Sequence, residues 1–122
     1  MFNNLIFVMI GGAVGASLRY SVGLLTSGIR FLNMPVGTIT VNLLGCLILG
    51  ALMGLTERYT GIPKPLVLML TTGLCGAFTT FSTFSAETIN AMENGHLVSS
   101  LIYLVVSIIF GLLLFWVGKA LA

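Results

Sequence analysis

The sequence predicts an all-α membrane protein: four transmembrane helices, the third broken near the midplane, in a dual-topology antiparallel homodimer. Three observations carry this reading. Of 122 residues, 57% are hydrophobic and only 7% charged, against roughly 25% charged in soluble domains, so the chain cannot cover a soluble surface. A span needs about 20 apolar residues, so this length holds four helices and no separate soluble domain. The third apolar stretch is interrupted by Gly73-Leu74-Cys75-Gly76-Ala77-Phe78-Thr79-Thr80-Phe81-Ser82-Thr83-Phe84-Ser85.

The first span covers about 3–27. Its start, Met1-Phe2-Asn3-Asn4-Leu5, lacks the basic segment of a signal peptide and reads as a retained helix. Gly11/Gly15 and Gly12/Ala16 are small-xxx-small pairs that let helices approach closely. Arg19 either snorkels to the interface or attracts anions at a water-filled entrance; the two are compatible. A loop with Arg30 follows.

The second span covers about 35–56, with Pro35 at a helix start, where its missing N–H is harmless. Thr38, Asn42, Cys46, Gly50 and Gly54 recur every four residues and form one small, polar stripe. A mid-membrane Asn42 amide must find partners. Either it locks two helices together or it lines a pore.

The third span covers about 66–93, with its break near 73–79. Irregular backbone survives in a membrane only where it is buried in protein or lines a wet cavity. A helix restarting near Thr79 leaves N–H groups without partners, and Thr or Ser can cap some of them. Phe81 and Phe84 lie at i and i+3 on one face, interleaved with hydroxyl residues. Glu87 follows Thr83 by one helical turn; an ionisable residue at such depth points to function or to a structural hydrogen bond. The fourth span, about 97–118, is uncharged. Tyr103 and Ser107 face one side, and Trp116 reads as an interfacial anchor.

Chemistry is narrowed by what the sequence contains. Its one His stands in a loop and it has no Asp, so no nucleophile has a base beside it and an enzyme is not expected. The basic residues Arg19, Arg30, Arg58, Lys64 and Lys119 are dispersed, whereas a nucleic-acid surface wants them clustered. Cys46 and Cys75 read as small packing residues. The middle of the chain offers amide, hydroxyl and backbone donors and the positive rims of Phe rings, a lining suited to a small anion that must shed its water.

Arg58, Lys64 and Lys119 fall on one side of the membrane, and Arg30, with Arg19 if it snorkels, on the other. So small a bias sets orientation weakly and predicts insertion both ways. The natural assembly is then an antiparallel homodimer with its axis in the membrane plane, an architecture that transporters otherwise build by internal inverted repeats.

Gly11-Gly12-Ala13-Val14-Gly15-Ala16-Ser17-Leu18-Arg19-Tyr20, Gly37-Thr38-Ile39-Thr40-Val41-Asn42-Leu43-Leu44-Gly45 and the stretch 73–85 together resemble the three helix motifs of the Fluc-type fluoride channels, the CrcB family. The resemblance covers nearly the whole chain. It implies passive export of cytoplasmic fluoride across a bacterial inner membrane, through two pores each built from both copies of a dual-topology dimer. By the same resemblance Phe81 and Phe84 match an aromatic box, Asn42 the adjacent pore amide, and Thr38 the approach to the pore. Thr83, Tyr103 and Ser107 match hydrogen-bonding groups along the fluoride path, with Glu87 near them and Arg19 at the vestibule. Gly76 and Thr79 match backbone positions that bind a structural sodium ion on the dimer axis. The family usually has a second Gly where this chain has Ala77; a positive φ there would strain Ala.

Two other classes are weighed against this one. A dual-topology multidrug transporter should carry a membrane-embedded Glu in its first helix, and this first span has no carboxylate. A non-transporting assembly protein would not need a polar break.

Overall fold

The computed structural model describes residues 2–122. Helix α1 (Phe2–Leu25) contains no proline, and its Ser17 and Ser21 hydroxyls donate to the carbonyls of Ala13 and Ser17, one turn back, at 2.7 and 2.8 Å. Polar side chains thus satisfy themselves on their own helix, as an apolar surrounding requires. After a turn in which Gly28 has φ +85°, a short hairpin forms from β1 (Arg30–Phe31) and β2 (Met34–Pro35). Its two turn residues, Leu32 and Asn33, have φ of 54° and 65°, the left-handed geometry of a tight two-residue turn. The Asn33 amide donates to Ser99 Oγ at 3.1 Å and fastens the hairpin to the last helix.

Helix α2 (Val36–Arg58) starts directly after Pro35. The third apolar stretch is composite. Helix α3 (Lys64–Leu68) leads into a wider π-helical segment, Met69–Cys75, then a single α turn, α4 (Gly76–Phe78). Thr79 and Thr80 are extended, with φ/ψ of −88°/158° and −150°/117°, and α5 (Phe81–Glu93) begins after them. Gly73, Gly76 and Ala77 are helical, so no positive φ is asked of Ala77. Helix α6 (Leu97–Leu121) follows a turn at Gly95, φ +88°.

Four stretches are long and apolar enough to cross a membrane: Phe2–Leu25, Val36–Arg58, Lys64–Glu93 and Leu97–Leu121. The chain is an all-α, multi-pass membrane protein. Its closest packing does not join neighbours in sequence. A Cβ at Gly50 would strike the Phe115 carbonyl, one at Gly54 would lie 2.6 Å from the Lys119 carbonyl, and one at Gly118 would strike that of Leu47. With Gly111 beside Cys46, the pairs 46–111, 50–115 and 54–119 rise together in number, so α2 and α6 run parallel. Likewise Gly11 abuts Met69, Gly15 abuts Leu74, and Arg19 reaches Ala77, so α1 runs parallel to the segment 69–78. Glycine permits this approach because lipid gives helices no hydrophobic reason to associate and contact must come from close packing. At the end of the α2–α6 pair, Lys119 Nζ lies 3.0 Å from Glu57 Oε1.

The buried core gathers where the hairpin, α2, α5 and α6 meet. Met34, Ile39, Phe84, Ala91 and Tyr103 pack there as one cluster.

Candidate functional site

The site is built around the two extended residues. A helix continuing past Phe78 would have the Thr80 N–H donate to the Gly76 carbonyl. Instead Thr80 N–H donates to Asn42 Oδ1 at 2.7 Å, and Asn42 Nδ2 donates to the Thr80 carbonyl at 3.0 Å. Both main-chain groups of Thr80 are therefore held by one side chain of α2. Thr79 N–H and its hydroxyl both donate to the Cys75 carbonyl, at 3.1 and 3.0 Å. Gly45 makes room for this, because a Cβ there would strike the Thr79 methyl. The Thr80 hydroxyl accepts the Thr83 N–H at 3.1 Å and caps α5.

On the other side of the interruption, Arg19 Nε donates to the Ala77 carbonyl at 3.1 Å. A guanidinium at the end of the α4 turn complements the unpaired carbonyls there. The contact draws α1 into the site.

Two cavities flank Thr80. One, of about 420 Å³, is the more polar of the two, and Arg19, Arg30, Thr38, Thr80, Thr83 and Glu87 are on its wall. The other, of about 350 Å³, is more apolar and includes Asn42, Gly76, Thr79, Phe81, Phe84 and Ser107. Apart from Tyr103, the predicted residues thus divide between the two cavities, and Thr80, which was not among them, lines both. Tyr103 stands apart from both walls, fully buried and stacked on Phe84 with ring centroids 5.5 Å apart and planes at 23°. Phe84 in turn lies 5.9 Å from Phe81, centroid to centroid. The two phenylalanines differ in setting: Phe84 is 8% exposed and Phe81 79%.

Three buried side-chain atoms lack a hydrogen-bond partner among the described residues: Glu87 Oε1, Tyr103 Oη and Ser107 Oγ. Such orphans are uncommon in folded proteins. All three belong to residues that the sequence singled out. Cys46 and Cys75 are free thiols.

Sequence reasoning passed over two participants. In the sequence Thr80 is one hydroxyl among several, although Thr80 and Thr83 carry cap spacing. Arg30 reads as a loop residue in the sequence, and the hairpin turns it back toward the Arg19–Glu87 cavity. The donors on these walls can replace part of an anion's water shell, and the fixed amide–main-chain clasp holds them in register.

Comparison with known proteins adds the following. Residues 6–119 match the family described as CrcB-like protein, Camphor Resistance (CrcB). The protein named Fluoride-specific ion channel FluC of Chloroflexus aurantiacus (strain J-10-fl) is 40% identical over 119 residues, covering 98% of this chain and 94% of its own. That of Oceanobacillus iheyensis is 40% identical over 119 residues, covering 98% and 91%. Fluoride-specific ion channel FluC 1 of Staphylococcus aureus (strain NCTC 8325) is 40% identical over 113 residues, covering 93% and 91%.

Proposed function

This chain belongs to the CrcB-like family, and from that membership we propose that it is a fluoride-selective channel, not an enzyme, that exports cytoplasmic fluoride passively across the bacterial inner membrane. The observation that carries the reading is the pairing of Asn42 with Thr80 beside the Phe81–Phe84 pair. It sets amide, hydroxyl and ring-edge donors inside a membrane-crossing stretch.

Fluoride is small and tightly hydrated, so it leaves water only where several donors meet it together. Asn42 Nδ2 has two hydrogens and gives one to Thr80, which leaves one for an ion. The rims of Phe81 and Phe84 carry partial positive charge. The orphaned hydroxyls of Tyr103 and Ser107 continue the line of donors, and Thr38, Thr83 and Glu87 shape the polar approach with Arg19. The positive charge of Arg19 raises the local anion concentration at that approach.

Two pores in an antiparallel homodimer are part of the same reading. Phe81 is 79% exposed, and a second inverted copy would bring its own Phe and hydroxyl residues to that open side. A structural sodium ion on the dimer axis fits the residues present. The Thr80 N–H is diverted to Asn42, so the Gly76 carbonyl is left without its helical donor. Thr79, already extended, carries its own carbonyl past the helix end. Hard cations take oxygen ligands of this kind, and one chain offers half a shell. When bound, the ion would supply a fixed positive charge that holds two broken helices together.

The test is anion efflux from liposomes containing the purified protein, read with a fluoride electrode beside chloride-loaded vesicles. Fast fluoride loss with chloride retained is expected. Folded protein that releases no fluoride would overturn the reading.

A further inference from the structure

The polar cavity does not end at Glu87. A second, smaller cavity of about 190 Å³ lies on the hairpin side of that residue, lined among others by Arg30, Asn33, Asn90, Asn94 and His96. Arg30, Pro35 and Glu87 belong to the walls of both. The two cavities therefore meet at a partition made of one guanidinium, one proline and one carboxyl group. Glu87 Oε1 is buried there without a partner among the described residues, which leaves it to accept from water in the cavity.

The smaller cavity has the features of an opening. Arg30, Asn33, Asn90, Asn94 and His96 are all exposed. Its wall offers amide, guanidinium and imidazole donors, and Glu87 is its one carboxylate residue. Its roof is the hairpin, whose turn has positive φ at both Leu32 and Asn33 and is tied to α6 through Ser99. The roof is thereby held in place over the cavity.

We propose that the cavity under the β1–β2 hairpin is a second mouth of the ion pathway, through which a small anion reaches Glu87 past Arg30, Asn94 and His96. The inference rests on the channel reading above and adds an entrance to it. Arg30 supplies the fixed positive charge of this mouth, and the exposed amides of Asn90 and Asn94 set its rim. A charge placed on the rim changes the local fluoride concentration, and salt screens that effect.

The test uses the full chain in liposomes and a fluoride electrode, comparing Asn94→Asp with Asn94→Lys at low and high ionic strength. The position is exposed, so both variants should fold; Asn90→Asp and Asn90→Lys carry the same comparison should one fail. At low salt the Asp variant should be about fourfold slower than the Lys variant, because the two differ by two unit charges and such a difference has about that effect on an ion roughly 10 Å away in water. The gap should close at high salt. Equal rates for Asp and Lys at low salt would overturn the second mouth while leaving the channel intact. Wild-type protein that passes no fluoride would instead defeat the channel reading itself.

Discussion

The side chain of Asn42 does for Thr80 what a neighbouring strand does in a sheet: it accepts from the N–H at 2.7 Å and donates to the carbonyl at 3.0 Å. One amide thereby satisfies a residue of extended backbone in a stretch otherwise helical. An unmet main-chain group in an apolar surrounding costs several kcal/mol, so α2 is a condition of the interruption in the third stretch.

Asn42→Asp keeps the acceptor for Thr80 N–H, loses the donor to its carbonyl and adds a negative charge. We expect fluoride efflux to fall at least about tenfold, since a fixed charge of like sign repels an anion in low dielectric. Electrode-monitored efflux decides it, with size-exclusion chromatography to show that the assembly persists. An unchanged rate would take Asn42 off the pathway.

Phe81→Ile and Phe84→Ile should both abolish or severely slow efflux, because an aliphatic side chain has no positive rim. They should differ in stability. Phe84 is buried against Tyr103 and Phe81 is open, so Phe84→Ile should lose about 1–3 kcal/mol and Phe81→Ile little. Thermal unfolding in detergent separates the two effects. Full rates in both variants would remove the aromatic pair from the mechanism.

Gly11 and Gly12 are neighbours with opposite tolerances. A Cβ at Gly11 would strike the Met69 carbonyl, whereas at Gly12 the nearest atom is 4.0 Å away. Gly11→Ala should therefore destabilise by about 1–3 kcal/mol, and Gly12→Ala should be near neutral. Unfolding midpoints of the two variants check this, and equal midpoints would contradict the packing.

Sodium withdrawal tests the proposed central ion. Protein exchanged thoroughly into N-methylglucamine should lose thermal stability as a dimer and recover it on return of sodium, as linkage requires of a ligand bound only by the folded state. Identical unfolding in both media would count against the ion.

Dual topology is tested with a reporter fused to Ala122. Signal from both sides of the membrane is expected from the weak charge bias. A single orientation in essentially all molecules would rule out the antiparallel assembly.

The four apolar helices were legible because composition and length alone specify them. So was the special character of 73–85, where hydroxyls replace aliphatic residues in mid-stretch. The position of the interruption was less so. The glycines at 73 and 76 suggested it, yet both are helical, and the two threonines after them are extended. Glycine here serves close packing against α1, as Gly73 does beside Val8 and Gly11. The partner that stabilises the extended pair is 38 residues away in sequence, a distance at which no periodicity speaks. The hairpin was hidden because its turn, Leu32-Asn33, lacks the usual glycine.

The parallel pairing of α1 with the third stretch, and of α2 with α6, bears on how the protein comes into being. A ribosome delivers the spans one after another. Each span's tight partner is two places later in the message, so the first helix must wait in the bilayer until the third has entered, and the second until the fourth. A nascent chain stopped after three spans would leave the glycine face of α2 bare toward lipid, beside a Thr80 already clasped by Asn42. The glycine face of α2 is thus covered only when α6 has been inserted.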